Sequence, residues 1–86
     1  MNNTTTKKPN FSESQKTLLR ETFQGITDYC NDSEYGRNNV ELYKKDLNHL
    51  INVNIRWGET LETAVDNAYW AVIGAIDVDK QLDAES

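Results

Sequence analysis

The sequence predicts an all-α fold, either a small three-helix bundle or an open three-helix arrangement. Apolar residues recur at three- and four-residue spacing in three separate stretches, each bounded by capping or turn residues. Eighty-six residues with a single cysteine and a single proline leave room for one domain built without disulfide support. Alternation of the strand type is confined to two short stretches, too few for an independent sheet.

The first helix begins at Ser12, where Ser12-Glu13-Ser14-Gln15 reads as an S-x-x-Q capping box. Leu18, Leu19, Phe23, Ile26, Tyr29 and Cys30 then form one broad apolar face, which Phe11 extends at its start. Gly25 lies just beside that face. A glycine there costs about 1 kcal/mol relative to alanine, so close approach of a neighbouring helix is the cheapest explanation. The helix should run out in Asn31-Asp32-Ser33-Glu34-Tyr35-Gly36, a cluster of turn formers in which Gly36 suits a left-handed position.

Asn38 can cap a second helix, with Glu41 three residues on. Val40, Tyr43, Leu47, Leu50 and Asn54, reinforced by Ile51, predict a helix over roughly 39–53. Its end is contested. Ile51, Val53, Ile55 and Trp57 alternate with polar residues at the period of a strand. A lone strand needs a partner, and the other alternating stretch, Ala75–Asp79, is short. A helix continuing to about Val53–Ile55, then a turn at Trp57-Gly58, is the favoured expectation.

In the third helix, Thr60 serves as N-cap, and Glu59 and Glu62 sit at the positive end of the helix dipole. Leu61, Val65, Ala68, Val72 and Ile76 make a compact apolar stripe, and the helix should reach about Asp79. Residues 1–10 and 81–86 are polar enough to read as flexible tails around a single helical domain over 11–80.

Charge is unevenly spread. Residues 1–57 hold eight Lys/Arg against seven Asp/Glu, whereas residues 58–86 hold one base, Lys80, against seven acids. The net charge of −5 and its concentration in the last third argue against direct binding to DNA or RNA, which needs clustered Lys/Arg. An acidic half favours a basic partner, or simply solubility. No apolar run reaches the ~18–20 residues of a membrane span, and Met1–Asn10 lacks the apolar region of a secretory signal. These features predict a soluble, cytoplasmic protein without membrane association.

Trp70 stands apart. It projects from the third helix about 180° away from Leu61, opposite the apolar stripe. Around it lie Glu59, Glu62, Asp66 and Asp77. From Glu59 to Asp77 the row runs roughly 27 Å at about 1.5 Å per residue, the scale of a row of phosphates facing a basic groove. Asp77 and Asp79 occupy the negative end of the predicted helix, where carboxylates are unfavourable by ~0.3–1 kcal/mol, so something other than helix stability should explain them. A large aromatic among carboxylates reads as a partner-binding surface. The competing reading has a tail, or the 51–57 segment, folding over Trp70 and burying it within the monomer.

Other constellations are weaker. Leu42, His49 and Val53 form a second stripe on the second helix, which suits packing of another element or a secondary, self-associating interface. Asp46 and His49 are spaced to share a helix face, but one histidine in the whole chain makes a metal site improbable. Cys30 lies within an apolar arc and reads as a core thiol, not a nucleophile. Glu59-x-x-Glu62 matches the first half of the E-x-x-E … E-x-x-D pattern of all-helical nucleotide pyrophosphohydrolases, and the second half is missing. Phosphate-loop, dinucleotide-binding and nucleophile-elbow motifs are also missing.

The expected function is therefore non-enzymatic, with no catalytic residues, cofactor or metal. The chain reads as an acidic interaction module that inhibits a partner by occupying its basic, nucleic-acid-binding surface. A phage or mobile-element anti-defence protein acting on a nucleic-acid-binding enzyme is one form of this expectation. The alternatives are a homo-oligomeric structural or regulatory protein, with a homodimer through one of the two stripes, and an antitoxin or immunity-type protein.

Overall fold

A computed structural model describes residues 11–85. It contains three helices, α1 (Glu13–Cys30), α2 (Glu34–Arg56) and α3 (Leu61–Glu85), and each touches both others. The tail expected over residues 1–10 lies outside the described residues, as does Ser86.

Local chemistry fixes where the helices start. Ser12 closes the capping box: its Oγ accepts from the Gln15 N–H at 3.1 Å while its own N–H donates to Gln15 Oε1 at 3.0 Å. Thr60 Oγ1 accepts from the Thr63 N–H at 3.2 Å at the head of α3, as expected. The second helix departs from expectation. Its N-cap is Ser33, not Asn38, with Ser33 Oγ accepting from the Gly36 N–H at 3.0 Å. Gly36 is therefore inside the first turn of α2 and is not a left-handed terminator.

The reason for a glycine at 36 is space. A Cβ there would lie 2.2 Å from the backbone oxygen of Cys30, so only hydrogen lets the start of α2 press against the end of α1. Arg37 locks the same corner by donating to the Asn31 carbonyl at 2.9 Å. The left-handed backbone falls at Gly58, with φ of 102°, in the turn between α2 and α3.

The alternation over 51–57 does not produce a strand. Helical hydrogen bonding carries α2 through Arg56, with the Trp57 N–H donating to the Val53 and Asn54 carbonyls. The end of α3 also differs from expectation. It continues to Glu85 instead of stopping near Asp79, so residues 81–85, expected as tail, are helical. A Gln81–Glu85 side-chain hydrogen bond supports this last turn.

Short connections and cross-helix contacts give an up-down-up bundle. Asn67 donates to Asn54 and Tyr43 donates to Asp79, so α2 and α3 run antiparallel. Gly25 faces Tyr69 and Tyr29 donates to Asp77, so α1 and α3 run in the same direction. The core collects Ile26 and Cys30 from α1, Tyr43, Leu47 and Ile51 from α2, and Leu61, Ala64, Val65, Ala68, Val72, Ile73 and Ile76 from α3. The whole expected α3 stripe is buried. From α1, Leu18, Leu19, Phe23 and Tyr29 are half-buried and pack against this core, as does Phe11.

Candidate functional site

The feature that draws attention is a groove of about 470 Å³ between α1 and α3. Register places it there: α1 presents Leu18, Thr22 and Gly25 opposite Val65 and Tyr69 of α3. Gly25 brings the helices close, since a Cβ at that position would stand 3.3 Å from the Tyr69 ring. The close approach expected of Gly25 is thus made by an aromatic side chain of α3.

Trp70 borders this groove and is 62% exposed. Among the described residues, nothing folds over it. Its ring meets Tyr69 edge to face, with centroids 5.1 Å apart and planes at 84°, one of the arrangements that aromatic pairs prefer. Tyr69 is itself half-buried against the core, so the indole is held from one side while most of its surface meets water.

Three carboxylates line the groove with the aromatics: Glu62 and Asp66 from α3, and Glu21 from α1. Among the described residues, no lysine or arginine lines it. Among the described residues, none of the three forms an ion pair or a hydrogen bond. The ion pairs there are Lys16–Glu13 and Lys44–Glu41, both within single helices. Glu21 escapes sequence reasoning because it belongs to another helix, and only the α1–α3 register brings it to the same groove as Asp66.

The remaining residues of the expected acidic row sit elsewhere. Glu59 is exposed in the α2–α3 turn, where its N–H donates to the Asn54 carbonyl at 3.1 Å. Asp77 is exposed but accepts a hydrogen bond from the Tyr29 hydroxyl of α1, and the Lys80 ammonium lies 5.7 Å from the centre of the Tyr29 ring. Asp79 accepts from Tyr43 at 2.7 Å, and the Tyr35 and Tyr43 hydroxyls are 3.1 Å apart. Because the Tyr43 proton points to Asp79, Tyr35 is the donor in that second contact.

The two carboxylates that looked unfavourable for helix stability therefore have intramolecular tyrosine partners. The longer α3 also removes them from its last turn. The Asp77 hydrogen bond, followed by desolvation, raises the Tyr29 pKa above its ordinary value. Burial first, then the bonds to Asp79 and Tyr35, raises that of Tyr43.

The second stripe is split. Leu42 is 53% exposed, Val53 is half-buried and His49 is exposed. His49 and Asp46 line a small cavity of about 170 Å³ against Ala71 and Ala75 of α3, so part of this stripe borders the neighbouring helix. Among the described residues, no group of three His, Cys, Asp or Glu side chains is placed to hold a metal ion. Cys30 is fully buried, and desolvation pushes its thiol pKa up. No helix among those residues is long and apolar enough to cross a membrane. Comparison with known proteins brings no family model, curated protein or solved structure that matches the chain.

Proposed function

We propose that the chain is a non-enzymatic interaction module whose Trp70 face docks on a basic surface of a partner protein. One observation carries this reading: an exposed indole, braced by Tyr69, beside a groove lined by three carboxylates that meet no countercharge among the described residues. Tryptophan is over-represented among interface hot spots, because a rigid ring buries much area at little entropic cost. Unpaired carboxylates around it steer a basic partner by long-range attraction and reject acidic ones. A basic surface large enough to meet Glu21, Glu62 and Asp66 together is characteristic of proteins that bind nucleic acids. Occupying it makes the chain an inhibitor of nucleic-acid binding, in the manner of an anti-defence protein acting inside a cell.

The test has two linked readouts. The chain and a Trp70→Arg variant are used as baits in a lysate of the native host, and each captured protein is assayed for nucleic-acid binding with and without added chain. The wild type should retain a basic protein and suppress its nucleic-acid binding, while Trp70→Arg does neither. Identical captures by both baits, or nucleic-acid binding unaffected by the chain, would contradict the reading.

A further inference from the structure

The groove beside Trp70 carries the inference one step further. We infer that it receives a single arginine side chain of the partner, together with the backbone that carries it, an inference that rests on the basic-partner reading above.

Trp70 is not a bare knob seeking a cavity elsewhere. It forms one border of a recess on its own chain, with Tyr69 set perpendicular to it. The recess, at about 470 Å³, falls in the ~300–1,000 Å³ range of clefts that take small ligands. That is more than a lone side chain fills, so flanking backbone enters with it.

Charge selects a cation, because the described lining holds three carboxylates and no base. Geometry selects guanidinium over ammonium. The acceptors come from two helices, Glu21 on α1 and Glu62 and Asp66 on α3, and the Trp70 indole borders the same recess. Guanidinium presents five N–H donors in a rigid planar fork and stacks on indole, and it is more weakly hydrated than ammonium. Leu18 and Val65 supply apolar contact for the aliphatic stem.

The experiment follows the Trp70 indole N–H signal by NMR in a Trp57→Phe variant at low salt. Trp57 is 83% exposed, and its replacement leaves Trp70 as the single tryptophan. Two blocked peptides are titrated, identical except that one carries a central arginine and the other a lysine. The arginine peptide should shift the signal saturably, and the lysine peptide should bind at least about five-fold more weakly. Adding Asp66→Asn should cost the arginine peptide roughly three-fold or more with helical content unchanged. Equal binding of both peptides through Trp70 overturns the arginine inference and leaves the basic-partner reading standing. No saturable shift with either peptide also overturns it, while the capture experiment decides the broader reading on its own.

Discussion

The hydroxyl of Tyr43 donates to the carboxylate of Asp79 at 2.7 Å, joining α2 to α3 across 36 residues of sequence. Tyr43 is only 1% exposed, so this bond is made where an unmet polar group is expensive. With Tyr29 holding Asp77, it fastens the C-terminal half of α3 to both other helices. Tyr43→Phe should therefore destabilise the fold by about 1–3 kcal/mol, lowering the thermal midpoint by roughly 4–24 °C in a domain of this size. Thermal unfolding followed by circular dichroism measures this, and an unchanged midpoint would remove the bond from the account.

The same tyrosines set a pH dependence. An exposed tyrosine in the unfolded chain ionises near pH ~10, while Tyr43 and Tyr29 ionise higher in the fold. Above pH ~10 the unfolded state loses protons that the folded state keeps, so stability should fall as pH rises through that region. Between neutral pH and pH ~9 these two groups contribute no slope. Denaturant titrations at a series of pH values check the sign. In Tyr43→Phe the alkaline loss should be shallower.

Glycine substitutions should separate two helical positions with opposite surroundings. At Gly36 a methyl group would meet the Cys30 backbone at 2.2 Å, so Gly36→Ala must part α1 from α2, at a cost of several kcal/mol (~3 or more). At Gly74 nothing lies within 4 Å of an added Cβ. Gly74→Ala should stabilise the helix by about 0.5–1 kcal/mol. Chemical denaturation of the two variants beside the parent reads both signs, and a neutral Gly36→Ala would refute the packed corner.

These contrasts show what the sequence makes legible. The Ser12 capping box and the Leu61–Ile76 stripe are local or periodic, and both stand where spacing puts them. The outward position of Trp70 follows from the same projection. Gly36 is misread because the turn formers beside it suggest a left-handed stop, while its real constraint is the Cys30 carbonyl of the preceding helix. Asp77 is misread for a similar reason, since its hydroxyl donor, Tyr29, lies 48 residues away. Glu21 joins the site only through the α1–α3 register. The helix favoured over the alternating 51–57 segment stands, with the end of α2 exposing Ile55 and Trp57 where a strand would have buried one face.

Cys30 offers a probe of the core that leaves the Trp70 face untouched. It is buried at the end of α1 and its thiol pKa is raised, so the reactive thiolate is scarce. A disulfide reagent at neutral pH should label it at a rate limited by opening of the fold, and should label the unfolded chain rapidly. Rapid labelling of the native protein would show that the α1–α2 corner is looser than described.

The most direct measurement sets the stability of Trp70→Ala against its affinity for the captured basic partner. With the indole largely in water, the variant should keep its stability within about 0.5–1 kcal/mol of the parent. Its affinity should fall by at least about 2 kcal/mol, roughly thirty-fold. A thermal midpoint that drops sharply while affinity stays unchanged would contradict the account, because Trp70 would then be a residue of the fold and not of the interface.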